Sequence, residues 1–242
     1  MGAHIIFINN HLAAKVIHIS SADSALQYLY YIMDKYHKTV DVYTEQDAGG
    51  NIYFPSGWMG DTNALRYKGD FLDKPYSGLT CIKIEFAAGV NNWAGIYWQY
   101  LEDNWGQMPG YNLSGSTTLS FYARGENGGE KVDFFMAGVN SNGADGPYKD
   151  PAQRKKTITL TTTWTKYTFD LQGMAFSSII GGFGFSTSAA MNYGQSIIFY
   201  LDDIQYDKQR LNEPRLLLSY EQSKFKEDYY EDAANRNAAY VY

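Results

Sequence analysis

The sequence lacks most of the side chains on which enzyme active sites are commonly built. All four histidines precede residue 40, so the rest of this 242-residue chain contains none. This excludes a Ser-His or Cys-His nucleophile pair and a histidine-ligated zinc site from that part of the chain. Cys81 is the only cysteine, which excludes an internal disulfide and a cysteine-based metal site. We interpret Cys81 as an inert thiol on a strand.

Long apolar runs and concentrated positive charge are also missing. No run approaches the roughly 18 apolar residues that a membrane-spanning helix needs. The apolar segment Ile5–Ile8 is too short for the core of a signal peptide, so no clear export signal is present. The 20 Lys and Arg residues are scattered along a chain of net charge −6, which argues against a nucleic-acid-binding surface.

The abundant residues are typical of a β-protein. The chain has 22 tyrosines, 13 phenylalanines, 5 tryptophans and 23 glycines, against only 6 prolines. From Val40 to Tyr206, short alternating segments separated by Gly- and Asn-rich turns predict about ten strands with no helix between them. The turn at Asn127-Gly128 predicts a β-hairpin between its flanking strands. The fold class that follows is all-β, a jelly-roll β-sandwich of two antiparallel sheets.

The two ends of the chain differ from this body. Residues 1–38 hold all the histidines and a predicted helix near Ser24–Tyr36, so we interpret them as an extension that is partly helical or disordered. Residues 39–207 form the predicted β-domain. Residues 208–242 are charged and end in an alanine-rich segment that favours helix. We interpret them as a linker followed by the truncated start of a helical domain.

Three of the five tryptophans fall within Trp93–Trp105, in a segment that begins with a predicted strand. Alternate residues of a strand point to opposite sides. One side of this strand carries Ala94, Ile96, Trp98 and Tyr100, and the other carries Trp93, Gly95, Tyr97 and Gln99. The second set places flat aromatic rings beside an amide that both donates and accepts hydrogen bonds. Since a sugar has an apolar face and a rim of hydroxyls, these residues and Trp105 predict a carbohydrate-binding surface. An ordinary aromatic-rich strand is the alternative.

Five segments in the same order resemble a carbohydrate-binding-module family with the galactose-binding-like jelly-roll fold. They are NIYFPSGWMGD, NNWAGIYWQYLEDNWG, LSFYARGENGGEKVDF, IIGGFGF and FYLDDIQYD, and the resemblance covers residues 40–207. Members of this family are appended to bacterial glycan-active or surface proteins. The resemblance therefore implies an extracellular, cell-surface or periplasmic location. The tail resembles the start of an α/α-toroid glycosidase-like domain, of which only the opening is present.

The resemblance implies two sites. The first is a ligand groove on the concave sheet or its rim, carried by Trp93, Tyr97, Gln99, Trp105, Tyr122 and Arg124. Rings would stack on sugar faces, while Gln99 and Arg124 would bind hydroxyls. The second is a structural calcium ion held by oxygen ligands of Glu45, Ser77 and Asp203. A solvent-facing strand surface is the alternative for Tyr122 and Arg124, and an exposed strand end is the alternative for Asp203.

These features together predict a non-catalytic module that binds a polysaccharide or oligosaccharide through an aromatic-lined groove. Such a module would target an attached protein, and we expect the full-length protein to contain a glycoside-hydrolase-like domain. A protein-interaction or structural β-sandwich without sugar binding is the alternative. Catalysis would require paired carboxylates. Glu45 and Asp47 lack a third acid on the same face, and Glu102-Asp103 lies in a loop with diverging side chains, so we predict no enzyme activity.

Overall fold

The computed structural model describes residues 39–173 and 176–208, and outside them only the backbone of three strands. These are β1 (Ala3–Ile8), β2 (Ala14–Ile19) and β14 (Arg215–Tyr220), which form an antiparallel sheet in the order β14-β1-β2. The sequence predicted no strand in these end segments. The three strands are nevertheless rich in β-branched and leucine residues, which favour strands when a partner strand is present. The predicted helix near Ser24–Tyr36 and the tail after Tyr220 lie outside the described residues. The domain boundaries stay predictions.

Residues 39–209 form a separate compact unit, a sandwich of two antiparallel sheets. Its strands are β3 (Thr39–Tyr43), β4 (Phe54–Gly60), β5 (Leu65–Phe71), β6 (Cys81–Phe86), β7 (Trp93–Gln99), β8 (Ser116–Gly125), β9 (Lys131–Met136), β10 (Arg154–Thr159), β11 (Thr165–Asp170), β12 (Gly181–Ser188) and β13 (Ile197–Lys208). The five-stranded sheet has the order β10-β9-β12-β7-β4. The six-stranded sheet has the order β11-β8-β13-β6-β5, and β3 pairs with the second half of β13. The predicted all-β sandwich is confirmed.

Aromatic side chains on the facing sides of the two sheets form the core. Trp98 on β7 is 1% exposed, and its ring lies edge-on to Phe183 on β12 with 5.5 Å between the centroids. Phe121 on β8 contacts Phe183 at 5.1 Å and so joins the two sheets. Truncating a buried ring of this size typically costs about 3–5 kcal/mol, which is why the inward parity of each strand is strongly determined. The residues between these positions point outward.

Two local predictions differ from the structure. Sequence reasoning missed β4, because Pro55 and Gly57 interrupt its alternation, but β4 is an edge strand, where proline is tolerated. The hairpin predicted at Asn127 is wrong, because β8 and β9 on either side of it belong to different sheets. The turn between them is closed by the buried carboxylate of Glu130, which accepts a hydrogen bond from the Asn127 amide at 2.7 Å.

Cys81 is the unreactive thiol on a strand that the sequence predicted. It is a free thiol with 0% of its surface exposed. Burial raises the pKa of this thiol to about 12, so little of the reactive thiolate exists at neutral pH.

Candidate functional site

The outer faces of both sheets carry aromatic residues. We name the outer face of the five-stranded sheet the tryptophan face, which carries Trp93, Tyr97 and Gln99 of β7 together with Trp105 of the following loop. We name the outer face of the six-stranded sheet the tyrosine face, which carries Tyr122 and Arg124 of β8. Both sets point away from the core, but their strands lie in different sheets. The six predicted ligand residues therefore do not share one groove, in contrast to the expectation.

Tyr97 is buried on the tryptophan face, with 4% of its surface exposed. Its hydroxyl donates to the carbonyl oxygen of Ala137 at 3.0 Å and accepts from the side-chain amide of Gln153 at 2.5 Å. The Phe135 ring lies 4.8 Å away, and the Trp105 ring meets Tyr97 edge-on at 6.3 Å. Burial raises the pKa of the hydroxyl to about 12, so Tyr97 is neutral at physiological pH. Tyr97 thus supports Trp105 rather than offering a free ring.

Gln99 is also buried, at 0% exposure, and both ends of its amide are engaged by the protein. The NH₂ group donates to the carbonyl oxygen of Asn104 at 3.1 Å, and the amide oxygen accepts from the Ser56 hydroxyl at 2.9 Å. The same hydroxyl accepts a hydrogen bond from the backbone of Asp103 at 2.9 Å. Gln99 therefore fixes the loop between β7 and Trp105 to the edge strand β4, and it does not present its amide to solvent.

The open part of the tryptophan face lies between the two remaining residues. Trp93 begins β7 with 48% of its surface exposed, and Trp105 is partly buried. The Trp105 ring contacts Tyr97, which is four residue steps along β7 from Trp93. Four steps span about 13 Å of strand, which exceeds the length of one sugar ring. Gly95 lies between Trp93 and Tyr97 on the outward parity, and it is buried by the neighbouring strands because it has no side chain that rises above them. The result is a low floor between two indole rings.

A single row of residues crosses this floor over all five strands. In order from β4 to β10 it consists of Met59, Gly95, Ser186, Asp133 and Thr157. Asp133 is 8% exposed, and its carboxylate accepts from the Lys155 ammonium at 2.8 Å and the Thr157 hydroxyl at 2.5 Å. The Lys155 side chain is 49% exposed, so its ammonium keeps donors for a ligand.

Sequence reasoning did not single out this row, although one signal could have found part of it. Val132, Phe134 and Met136 of β9 are fully buried, and this parity turns Asp133 outward. Lys155 and Ser186 carry no comparable signal, because only strand pairing brings them beside Asp133 and Gly95.

Tyr122 and Arg124 on the tyrosine face are covered by other side chains. The Tyr122 ring stacks on Tyr76 with 3.5 Å between centroids and 15° between planes. The Arg124 guanidinium lies 3.7 Å from the Tyr200 ring and 5.2 Å from the Trp164 ring, and its side chain is only 12% exposed. These contacts hold the loop that contains Tyr76 against the six-stranded sheet. They leave neither Tyr122 nor Arg124 free to receive a ligand ring.

The predicted calcium residues surround the loop between β5 and β6. The Glu45 carboxylate accepts from the Thr80 amide at 2.9 Å and from the Thr80 hydroxyl at 2.5 Å. The Ser77 hydroxyl donates to Asp203 at 3.0 Å. Burial raises the pKa of Asp203, and the nearby charges of Glu45 and Asp41 raise it further. Within residues 39–173 and 176–208, no group of three or more His, Cys, Asp or Glu side chains is arranged to hold a metal ion.

Residues 39–208, well over half of the chain, match the family model for carbohydrate binding domain 30. The chain belongs to this family. The match spans the whole sandwich, so this part of the protein is a carbohydrate-binding module. A helix long and apolar enough to cross a membrane is not found in the described part of the chain.

Two solved structures are similar to this family 30 module, and the first of them supports its fold. A family 30 carbohydrate-binding module is similar with a TM-score of 0.50 and 19% identity, over 71% of this chain and 99% of that one. The family 30 module of a cellulosomal cellulase of Clostridium thermocellum has a TM-score of 0.48 and 17% identity, over 72% of this chain and 99% of that one. No curated protein matches the chain.

Proposed function

We propose that the module binds an extended polysaccharide or oligosaccharide across the open part of the tryptophan face. The observation that carries this proposal is Trp93, a large ring that is 48% exposed on a strand whose opposite face is core. Exposed indole surface gains free energy when an apolar sugar face covers it. Gly95 has no side chain to rise beside the ring, and Trp105 lies at the other end of the floor.

The chemistry between the two indoles favours a sugar over a protein partner. A protein-binding patch has a broad apolar centre, whereas here the floor passes from Met59 to the flat Gly95 and then to Ser186 and Asp133. The Lys155 ammonium can donate hydrogen bonds to sugar hydroxyls, and the Ser186 hydroxyl can donate or accept them. Because this surface is open to water, which screens and competes with each contact, we expect weak binding.

The experiment is affinity electrophoresis of the chain against a panel of soluble polysaccharides. Trp93→Ala should weaken the retention that the native chain shows by about fivefold or more, the loss expected of a residue worth ~1 kcal/mol. The melting temperature should change little, because the ring is half exposed. Tyr76→Ala is the matched control, since Tyr76 is 41% exposed on the tyrosine face. It should lower stability by removing the stack on Tyr122 and leave retention intact.

Two outcomes would contradict this proposal. If Tyr76→Ala abolished retention and Trp93→Ala did not, the ligand would bind the tyrosine face. If the native chain were retained by no polysaccharide, the alternative of a protein-interaction or structural sandwich would be favoured.

We further propose that the module acts outside the cytoplasm and targets a longer, glycan-active protein, with catalysis located elsewhere in that protein. The resemblance of residues 208–242 to the start of an α/α-toroid glycosidase-like domain supports this. Of those residues, the structure describes only Lys208 and β14. The chain by itself should release no reducing sugar from a polysaccharide that it binds. Measurable hydrolysis by the purified chain would refute a purely binding role.

We also propose a structural calcium ion at Glu45, Ser77 and Asp203. These residues supply the oxygen ligands that calcium prefers, and a cation would offset the burial, and the repulsion by Glu45 and Asp41, that raise the pKa of Asp203. An ion that binds only the folded state at a hundredfold excess over its Kd adds about 2.7 kcal/mol of stability. A chelator should therefore lower the melting temperature, and Asp203→Asn should remove that response without affecting glycan binding. Identical melting with and without chelator would refute the site.

A further inference from the structure

Tyr193 is far more exposed than any packing role explains. Of its surface, 81% is exposed, against 48% for Trp93. It lies in the turn after β12, where its φ of 53° falls in the left-handed region. A bulky residue rarely adopts this conformation, and residues held in it cluster at functional sites.

Asn192 holds the turn rigidly and so maintains this conformation. Asn192 is 5% exposed, and its amide oxygen accepts a hydrogen bond from the Lys131 amide at 2.8 Å. Its NH₂ group donates to the carbonyl oxygen of Lys131 at 3.0 Å and to the Thr187 hydroxyl at 2.9 Å. The turn is therefore tied to both β9 and β12, and the next residue, Tyr193, is presented in a defined position.

The Lys131 side chain holds the exposed ring of Tyr193. Its ammonium donates to the Tyr193 hydroxyl at 2.9 Å and lies 4.7 Å from the ring centroid. Lys131 shares the outward parity of Asp133 on β9, and β12 pairs Ser188 with Trp93 just before the turn begins. Tyr193 thus lies at the Trp93 end of the tryptophan face.

We propose that Tyr193, oriented by Lys131, forms an additional sugar-binding subsite at the Trp93 end of the tryptophan face, on the side of β9. The inference rests on the proposed function and extends it, because it sets the minimum ligand length that is needed to contact Tyr193. A glycan that lies along β7 from Trp105 across Gly95 to Trp93 reaches Tyr193 only if further sugar units cross β12 toward β9. Short oligosaccharides would occupy the floor alone, and longer ones would also cover the tyrosine ring.

The test measures affinity by titration calorimetry for an oligosaccharide series of increasing length, prepared from a polysaccharide that retains the native chain. Tyr193→Asn removes the ring, and asparagine tolerates the left-handed conformation, so the fold should persist with an equal or higher melting temperature. We expect a loss of about three- to tenfold for long oligosaccharides, the range that one aromatic contact contributes, and no loss for short ones. Lys131→Met keeps the backbone contacts to Asn192 and should give a smaller loss of the same kind.

Trp93→Ala separates this inference from the function on which it rests. If Trp93→Ala weakens binding at every length while Tyr193→Asn matches the native chain throughout, the subsite is overturned and the proposed function stands. If Tyr193→Asn weakens short and long ligands equally and lowers the melting temperature, its role is structural and the subsite is again overturned. If Trp93→Ala binds as the native chain does, the proposed function fails first.

Discussion

Asp150 connects the stability of the sandwich to the geometry of its tryptophan face. The carboxylate is 3% exposed and accepts three backbone hydrogen bonds, from Ile180 at 2.6 Å, Gly181 at 2.9 Å and Val139 at 3.3 Å. These bonds fasten the loop after β9 to the start of β12. The same loop supplies Gln153, which donates to Tyr97 beneath Trp105. Removing the carboxylate should therefore weaken both folding and binding.

The number of lost acceptors sets the size of this effect. Asp150→Ala leaves three buried amides without a partner, and each unsatisfied buried amide costs about 1–3 kcal/mol. Because water enters part of the gap, we expect a total loss of about 3–5 kcal/mol. Asp150→Asn keeps one acceptor oxygen for Gly181 and Val139 and places an NH₂ group against the Ile180 amide. It should cost only about 1–2 kcal/mol.

The pH dependence of stability gives a second test of the same residue. Burial raises the pKa of Asp150 in spite of the three hydrogen bonds. Between its ordinary pKa and this raised value, the folded protein keeps a proton that the unfolded chain has lost. The stability that Asp150 contributes is therefore greatest below the ordinary pKa, and it is lost as the pH rises through the raised pKa. Asp150→Asn cannot titrate and should lack this part of the decline.

Urea unfolding followed by tryptophan fluorescence, at several pH values, measures both effects, and glycan retention reports the state of the site. A loss below about 1 kcal/mol for Asp150→Ala would refute the structural argument, because three unpaired amides cost more than that. Equal losses for asparagine and alanine, or the same pH dependence in the asparagine variant and the native chain, would also contradict this role of Asp150.

Three further predictions concern the site and its surroundings. Gln99→Leu should lower glycan affinity about threefold without removing any ligand contact, because it removes hydrogen bonds that hold the loop after β7. A threefold loss is ~0.6 kcal/mol of binding free energy, a modest share of what those bonds contribute. An unchanged affinity in titration calorimetry would contradict this. Gly95→Ala should destabilise the fold by about 1–3 kcal/mol in urea, because the added Cβ would overlap the carbonyl oxygen of Phe185. The Lys131 hydrogen bond lowers the pKa of Tyr193, so Lys131→Met should raise that pKa in an ultraviolet titration, and an unchanged curve would contradict the contact.

The alternation within strands was predictable because it depends on neighbouring residues alone. The sequence predicts that Ala94, Ile96 and Trp98 point inward, and all three are at most 1% exposed. It also predicts that Trp93 points outward, where it is 48% exposed. The strand β4 escaped prediction because Pro55 and Gly57 remove the alternation, and an edge position permits both.

Outward parity did not predict exposure. Tyr97 and Gln99 point away from the core as expected, yet loops from elsewhere in the chain bury them. The partner of the Tyr97 hydroxyl, Gln153, is 56 residues away in the sequence. Such a contact leaves no trace in local periodicity, so residues expected to bind a ligand act as supports for the loop that carries Trp105.

The sequence by itself therefore determined the all-β class, the parity of each regular strand and the concentration of tryptophan around β7, since each follows from residues close together in the chain. Only the tertiary structure decided which strands share a sheet. The pairing of β7 with β12, and of β8 with β13, places Trp93 and Tyr122 on opposite faces of the sandwich. Strand pairing depends on hydrogen bonds and packing between distant segments, and that is why only the three-dimensional structure brings Tyr193, in the turn after β12, beside Lys131 of β9.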